Sequence, residues 1–550
     1  MSTIAPRVLD TPQTIDAPTI GSSLTGTGTM LRFIARRDRI LMPVWLLVLA
    51  GVAAASASAA VGLYPTQDAR VAAAESANAT PALVALYGRI DDPASLGGIA
   101  MLKLTTLGAV IVAVLMIITL ARHTRAEEES GRLELMRAGV LGRHAPLAAA
   151  LIEAYAASVL LGALTALGLT GAGLDAAGAW AFGASWACAG VAFASVAAVT
   201  VQLAESARAA TGLAMAVLAA AFVLRAVGDT TAGLPWLSWL SPIGWSQQLR
   251  PFGGVRWWVV LVPMAFAVVA AAGARALLGR RDVGAGLLRP RPGPATATTR
   301  LRSPIALAWR LQRGTLGAWT FGFTVLGLIF GSVAANLGGL VDSPQSRNLI
   351  TEMGGVNGLT DAFLGTDFGI AGVLAAAYGI QAVLRLRSEE TALRAEPLLA
   401  TALTRTRWAG SHVLIALGGT TVLMLAVGVG AGVAHGTSTG NLGGALTSLL
   451  GASLVRLPAV WVLTALTVAL FGLLPRATHA AWTALFAFLV LGEFGSVLGL
   501  PQAVKDVSPF THVPSLPGGA MSWTPTITLL LLAAVLLAAG LGRFRHRDIG

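Results

Sequence analysis

Long apolar stretches separated by short polar segments recur from one end of the chain to the other. A run of about 20 apolar residues can cross a bilayer as an α-helix, because each residue adds roughly 1.5 Å along the helix axis. The pattern predicts an all-α polytopic membrane protein with twelve transmembrane helices, at residues 41–61, 101–121, 146–169, 178–201, 209–227, 257–278, 314–336, 366–384, 410–433, 444–472, 480–499 and 524–542.

The tenth predicted span differs from the others because it is too long for a simple span and contains Arg456 and Pro458. Proline lacks the backbone N–H of a helical hydrogen bond and clashes with the preceding turn. Two interpretations therefore remain open for this segment. The helix is kinked within the membrane, or it begins outside the bilayer.

Basic residues are concentrated in the segments on one side of the predicted spans. Short loops rich in Arg and Lys remain in the cytoplasm, so this asymmetry predicts the orientation of the chain. With an even number of spans, both termini lie on the basic side. The chain is therefore predicted to have both termini in the cytoplasm, and the loops after spans one and seven on the outer side.

Composition excludes a soluble enzyme and a disordered chain. Only 12% of the residues are charged and 55% are hydrophobic, whereas soluble domains carry about 25% charged residues. The formal net charge is +12, which in a soluble protein would suggest a nucleic-acid partner. Here the arginines lie between apolar runs, where membrane topology explains them, so the lipid bilayer is expected as a partner and nucleic acid is not.

The predicted spans fall into two sets of six. Residues 1–28 are polar and are predicted to be a disordered cytoplasmic tail, and residues 29–279 form the first six-span repeat with an interfacial helix near 29–40. Residues 280–302 are rich in Arg and Pro and are predicted to be a cytoplasmic linker. Residues 303–550 form the second six-span repeat, with a similar amphipathic segment at 303–313.

The two halves share a charged segment between their second and third spans. Residues 125–143 and 387–405 align without a gap at an offset of 262, with eight of 19 positions identical. Smaller matches support the repeat, including the sequence Arg-Asp-Val-Gly from Arg281 and Arg-Asp-Ile-Gly from Arg547. Because six is an even number of spans, the repeats are parallel, with a pseudo-two-fold axis along the membrane normal.

A solvated face need not repeat residue by residue, so the duplicated charges indicate a function. Short charged helices at equivalent places in two halves suit docking onto a two-fold symmetric cytoplasmic partner. The candidate residues for this contact are Glu127, Glu128, Arg132 and Glu134 in the first half and Glu389, Glu390, Arg394 and Glu396 in the second.

The first segment resembles the coupling-helix region of ABC-2-type exporter permeases, whose pattern is similar to E-x-G-T-x-E-x-L-x-x-x-P. Glu129, Gly131 and Glu134 match this pattern, whereas Arg132 replaces Thr and Met136 replaces Leu. The second segment retains fewer matches, Glu396 and Leu398, and departs from the pattern at Thr391, Leu393 and Pro397. Two fused six-span units resemble the actinobacterial permeases of polyketide-antibiotic and multidrug exporters.

This resemblance implies an exporter permease in a bacterial plasma membrane that moves amphiphilic drugs or antibiotics out of the cell. It implies two ATP-binding subunits on the cytoplasmic face, each engaging one coupling segment, with ATP and Mg²⁺ bound by those subunits. It also suggests short re-entrant outer helices at residues 229–256 and 501–523. The chain itself has no P-loop, since that motif needs a Gly-Lys pair and the two lysines follow Leu102 and Val504.

Charged residues within predicted spans form the other set of candidates, because burying charge in a membrane is costly. Arg456 and Glu493 are predicted to pair with each other, as a structural pair or as part of a gate. Glu153 lies near the inner end of its span, where snorkelling to the interface explains it. The seven histidines show no local motif with metal-ligand spacing, so no metal site and no catalytic residue are predicted.

Two other classes of protein compete with this interpretation. A proton-coupled secondary transporter can also consist of six-plus-six parallel repeats, and Glu153 and Glu493 are the clear intramembrane carboxylates it would require. A membrane enzyme for lipid-linked substrates should show clustered Asp, Glu or His at one membrane face. A neighbouring reading frame with a P-loop would favour the exporter over both.

Overall fold

The structure, a computed structural model, describes residues 23–548 apart from 80, 138–140, 232, 283, 289–295, 297–300, 337–354, 490 and 492–500. Most of these residues are helical, and none of them forms a strand. The helices form two compact units, Met1–Pro292 and Gly293–Gly550. Most of the predicted tail, residues 1–22, and about half of the predicted linker lie outside the described residues.

The described residues of the first unit form twelve α-helices, numbered here in chain order. They are α1 (Thr27–Arg37), α2 (Leu41–Leu63), α3 (Gln67–Ala79), α4 (Pro81–Tyr87), α5 (Leu96–His123), α6 (Arg125–Glu129), α7 (Arg132–Arg137), α8 (Ala145–Gly171), α9 (Ala176–Leu203), α10 (Ala207–Thr230), α11 (Pro242–Gln248) and α12 (Leu261–Gly279). Two 3-10 helices, Pro235–Leu240 and Trp257–Val260, flank α11.

The second unit has nine α-helices among its described residues. They are α13 (Pro304–Asn336), α14 (Gly355–Thr391), α15 (Ala395–Leu399), α16 (Arg405–Thr439), α17 (Leu442–Leu454), α18 (Leu457–Leu473), α19 (Ala480–Leu489), α20 (Gln502–Lys505) and α21 (Trp523–His546). Its 3-10 helices are Pro475–Ala477 and Pro509–His512.

The prediction of an all-α polytopic membrane protein is confirmed, since eleven helical stretches in the described part of the chain are long and apolar enough to cross a membrane. They coincide with eleven of the twelve predicted spans. The remaining one, predicted at 480–499, begins with the short apolar helix α19, and its second half falls almost entirely outside the described residues.

The tenth predicted span is broken into α17 and α18, which are joined at Val455 and Arg456. Arg456 occupies the N-cap position of α18 and Pro458 lies within its first turn, where proline is tolerated because the first N–H groups have no helical partner. The break between the two helices therefore lies at Arg456 and Pro458, the residues that made this predicted span unusual.

Helix α9 is the centre of the first unit and is rich in Ala, Gly and Ser. The Asp175 side chain caps it by accepting a hydrogen bond of 2.8 Å from the Gly178 amide. Gly183 of α9 faces Gly162 of α8 so closely that a Cβ on Gly183 would lie 2.1 Å from the Gly162 carbonyl oxygen. Small residues thus allow the two backbones to touch, as is typical of membrane helix pairs.

Helices α13 and α16 form a similarly close pair in the second unit. A Cβ at Gly327 would lie 2.2 Å from the Val427 carbonyl oxygen, and one at Gly331 would lie 2.2 Å from that of Ala431. Gly327 and Gly331 are four residues apart on α13, and Val427 and Ala431 are four residues apart on α16. Two successive turns of one helix therefore lie against two successive turns of the other. This interface depends on the absence of side chains at Gly327 and Gly331.

The two predicted interfacial segments differ in structure. The first is a separate helix, α1, which buries Met30 and Ile34 and ends at Asp38 before α2 begins. The second, at 303–313, is continuous with the spanning helix, because α13 runs from Pro304 to Asn336 without a turn. The first unit therefore has a hinge-like turn at Asp38 that the second lacks.

Candidate functional site: the duplicated charged segments

The duplicated segment of the first unit forms α6 and α7 and lies at one end of the bundle, here called the charged end. Glu128 of α6 is buried and accepts hydrogen bonds from both terminal nitrogens of Arg281, at 2.7 and 2.8 Å. It also accepts from Arg125 Nη1 at 2.9 Å and from the Gly284 amide at 2.8 Å. Both carboxylate oxygens are therefore fully engaged with positive or N–H groups.

This network connects the segment to the last span of the unit. Arg125 donates to the carbonyl oxygens of Glu205 at 2.7 Å and Gly284 at 3.0 Å, and Arg281 Nε donates to Gln202 Oε1 at 2.8 Å. Arg143, at the far end of the segment, donates to the Arg281 carbonyl oxygen at 2.6 Å. We call Arg125, Glu128 and Arg281 the first lock, because they hold α6 against residues that follow α9 and α12.

The second unit contains the same arrangement with the residues that the repeat predicts as equivalents. Glu390 is buried and accepts hydrogen bonds from Arg387 Nη1 at 2.9 Å and from Arg547 Nη2. Arg405 donates to the Arg547 carbonyl oxygen, as Arg143 does to that of Arg281. Arg547 also lies over the Phe471 ring, 4.9 Å from its centroid. Arg387, Glu390 and Arg547 form the second lock.

Glu127 and Glu389 are also buried in ion pairs. Glu127 pairs with Arg37 at the end of α1, and Arg132 lies 3.8 Å away. Glu389 pairs with Arg385 at 2.7 Å and with Arg394 at 2.7 Å. The hydrogen bond from Arg394 to this carboxylate raises the pKa of the Arg394 guanidinium above its ordinary value. These ion pairs, which include the candidates Glu127, Arg132, Glu389 and Arg394, therefore all lie within a single unit and stabilise it.

Glu134 and Glu396 are placed differently, since both side chains are exposed. Each follows a buried residue, Leu133 or Ala395, so the two segments keep the same register. The residue after Glu134, Leu135, is 79% exposed. Leu135 and Glu134 are therefore both available for contact at the surface of the unit.

The turn between the two short helices of each segment is left-handed in both units. Gly131 has φ +73°, and Leu393, its equivalent in the second unit, has φ +57°. A glycine adopts this conformation without steric cost, whereas a residue with a Cβ pays about 1–2 kcal/mol. Leu393 therefore keeps the left-handed turn that Gly131 forms in the first unit, but its backbone is strained there.

Replacing Leu393 by glycine should therefore stabilise the second unit. The expected gain is about 1 kcal/mol, since the strain is removed but the unfolded chain gains entropy. The reciprocal change, Gly131→Leu, should destabilise the first unit by a similar amount. Thermal unfolding of the purified protein in detergent measures both, and equal shifts of the same sign would contradict the prediction.

Arg456 is buried at the break between α17 and α18 and binds backbone oxygens. It donates to the carbonyl oxygens of Ala452, of Leu516 at 3.2 Å and of Gly365 at 2.5 Å. Glu493, its predicted partner, lies outside the described residues, so the proposed pair stays a prediction. The carbonyl contacts lower the cost of burying the guanidinium.

Sequence reasoning missed a second buried arginine, Arg225 in α10. It donates to the carbonyl oxygens of Val84 and Leu86, both at 3.2 Å, and its ion pair with Asp229 measures 3.5 Å. The signal was the spacing of four between Arg225 and Asp229 at the end of an apolar run. Because the span was predicted to end at residue 227, Arg225 looked like a flanking charge.

A third polar cluster lies at the charged end of the first unit and was also missed. Asp38, after α1, contacts His123 at the end of α5, with 2.7 Å between Asp38 Oδ2 and His123 Nε2. Glu153 of α8 lies on the other side, with 3.9 Å between its Oε2 and the same ring nitrogen. The Glu153 side chain is 11% exposed and its Oε2 atom is inaccessible to solvent, so the carboxylate lies beside a histidine and does not snorkel to the interface as predicted.

Comparison with known proteins places these features in a family. The family model described as "Multidrug efflux system permease Rv1217c, C-terminal domain" matches residues 92–277 and 301–545. The chain is 46% identical over 535 residues to the multidrug efflux system permease protein Rv1217c of Mycobacterium tuberculosis (strain ATCC 25618 / H37Rv). That match covers 97% of each protein, and both duplicated charged segments lie within the family-model match.

Proposed function

The chain belongs to the Rv1217c family of multidrug efflux permeases, which are ABC-2-type exporter permeases, and from that premise we propose that it moves amphiphilic drugs or antibiotics out of the cell. In this proposal, ATP is hydrolysed by two separate P-loop subunits that bind the two duplicated charged segments from the cytoplasm. This assignment puts both termini on the cytoplasmic side of a bacterial plasma membrane.

The observation that carries the proposal is the pair of exposed carboxylates in register. Glu134 and Glu396 occupy equivalent positions on two segments with the same buried and exposed pattern. Two similar ATP-binding subunits would each need an equivalent contact site, and Glu134 and Glu396 provide one such site in each unit. Apolar surface beside each carboxylate adds burial to the charge contact, because Leu135 and Pro397 are also exposed.

The locks explain how such a contact reaches the spans. A force on α6 is transmitted through Glu128 to Arg281, which follows α12, and directly to α5, which α6 continues. Glu127 extends the connection to α1 through Arg37. Each unit can therefore respond to its ATP-binding subunit as a connected group of helices, while Glu134 and Glu396 make the contact.

The class of substrate is inferred from the family and from the low number of charged residues in the spans. The helices that could cross the membrane contain few charged residues, so a highly charged substrate would meet few counter-ions. An amphiphile enters the membrane readily and can reach a transporter from the lipid phase. Among the candidate classes, amphiphilic drugs and antibiotics fit both observations.

The proposal is tested by co-purification. The tagged protein is extracted from its native membrane in mild detergent, and the proteins that accompany it are identified and quantified by mass spectrometry. We expect a P-loop ATPase at about two copies per chain, one for each charged segment. The double variant Glu134→Arg, Glu396→Arg should lose it, because reversed charges repel a complementary surface.

A matched control carries the same charge change elsewhere. The double variant Glu75→Arg, Asp506→Arg reverses one exposed carboxylate in each unit, away from the duplicated segments, and should retain the ATPase. A preparation that still transports drug without any ATPase would contradict the proposal. It would favour the proton-coupled alternative, in which neutralising Glu153 and Glu493 should abolish transport.

A further inference from the structure

The cluster of Asp38, His123 and Glu153 has the composition of a metal site. One oxygen or nitrogen from each side chain lies within 4.8 Å of the others, and the three residues come from the C-cap of α1, from α5 and from α8. An imidazole nitrogen with two carboxylate oxygens is a ligand set that suits Zn²⁺ or Mn²⁺. We propose that these three side chains bind one divalent transition-metal ion of the zinc or manganese class.

Charge balance supports a cation at this place. Arg122 pairs with Asp38, with 3.0 Å between Nη2 and Oδ1, whereas in the described part of the chain Glu153 has an ion-pair contact only to His123, at 3.9 Å. Glu153 Oε2 is inaccessible to solvent and accepts no hydrogen bond from any residue that the structure describes. A buried carboxylate oxygen without a donor is costly, and a metal ion supplies the missing positive charge.

The geometry needs only small movements to form a site. Ligand atoms around a tetrahedral zinc ion lie about 3.3 Å apart, given metal–ligand distances of about 2.0–2.1 Å. The observed separations of 2.7 and 3.9 Å from His123 Nε2 lie on either side of that value. The Arg122 contact on the outer oxygen of Asp38 is the outer-shell support that metal-binding carboxylates usually have.

A cavity also borders the cluster, on the side of Asp38. A cavity of about 270 Å³ between α2 and α5 is lined by Asp38 and Arg122 and otherwise by mostly apolar side chains. A water molecule as fourth ligand requires space next to a carboxylate, and the cavity provides that space beside Asp38.

The second unit provides an internal contrast. The matches Arg36 to Arg310 and Arg39 to Arg313 place Gln312 at the position of Asp38. Gln312 and the buried His412 are joined by a hydrogen bond of 3.1 Å between Nε2 and Nδ1. A neutral amide is a weak ligand compared with a carboxylate. The inference therefore assigns the metal to the first unit, and it is independent of the proposed export function.

Metal counting tests the inference directly. The full chain, purified into nanodiscs with a histidine-free tag, is stripped with a chelator and dialysed against ZnCl₂ or MnCl₂, and the bound ions are counted by mass spectrometry. We expect about one ion per chain and a higher Tm with metal than with chelator. Glu153→Gln, which keeps the shape of the side chain, should weaken binding by more than the roughly 10–100-fold typical of outer-shell changes.

Two further variants make the result decisive. His123→Gln should lose the ion as Glu153→Gln does, whereas the same substitution at His412, a buried histidine of the second unit, should leave ion binding unchanged. Uptake that is equal in the wild type and in Glu153→Gln would overturn the inference. A wild-type protein whose Tm depends on pH but not on either metal would also overturn it, because the cluster would then hold a proton only.

Discussion

Replacing Glu128 by alanine should destabilise the first unit by about 3–5 kcal/mol, the cost typical of removing one partner from a buried ion pair. The change leaves the Arg125 and Arg281 side chains, which are 1% and 5% exposed, without their shared carboxylate. Two guanidinium groups would then repel each other away from water. Thermal unfolding in detergent, followed by size-exclusion chromatography, should show a large loss of folded protein.

Two further variants show whether the loss of stability is specific to Glu128 or follows any substitution in the segment. Glu134→Ala changes an exposed carboxylate six residues away and should leave stability within about 0.5 kcal/mol of the wild type. Adding Arg281→Met to Glu128→Ala should recover part of the loss, because one unpaired buried charge is removed. If Glu128→Ala unfolds at the same temperature as Glu134→Ala, the lock is not a stabilising element.

The second lock should be less sensitive. Arg387 and Arg547 are 20% and 12% exposed, so both can reach water when Glu390 is replaced by alanine. We expect a smaller loss for Glu390→Ala than for Glu128→Ala.

The second large effect is expected at the contact between α13 and α16. Gly331→Leu would place a side chain where even a Cβ would lie 2.2 Å from the Ala431 carbonyl oxygen. Backbone atoms cannot move aside as a flexible side chain can, so the two helices must separate. The loss should exceed the roughly 1–3 kcal/mol of ordinary overpacking and should appear as aggregated or degraded protein.

The same helix contains the matched control. Gly322 lies nine residues before Gly331, and a Cβ there would meet nothing within 4 Å. Gly322→Leu should therefore be neutral or slightly stabilising, because leucine favours helix by close to 1 kcal/mol relative to glycine. Equal yields of folded Gly331→Leu and Gly322→Leu protein would contradict the close contact.

The spans were predictable because each is a local property of the chain. Length and apolar composition define a membrane helix within one window of sequence, and eleven of the twelve predictions coincide with helices. The break at Arg456 was signalled by Pro458. The continuity of α13 was not predicted, because the amphipathic pattern of 303–313 resembles an interfacial helix whether or not a turn follows.

The charged segments were found from the repeat, but their contacts could not be. Arg281 lies 153 residues after Glu128, and no periodicity connects residues so far apart. The repeated Arg-Asp-Val/Ile-Gly sequence marked Arg281 and Arg547 without indicating their partners. Asp38, His123 and Glu153 lie in three distant parts of the chain, so a search for histidines at metal-ligand spacing misses them.

The locks also define an order of events during synthesis. Glu128 is made 153 residues before Arg281, and Glu390 is made 157 residues before Arg547. Each carboxylate therefore has only the arginine three residues before it, and lacks the second arginine of its lock, while four further predicted spans of its unit are inserted. A unit whose last span failed to insert, or inserted in the wrong direction, would leave the lock open and its charges exposed. Each lock can therefore form only when the last span of its unit has been inserted in the correct direction. A correctly inserted unit is stabilised by its lock, and an incorrectly inserted one is not.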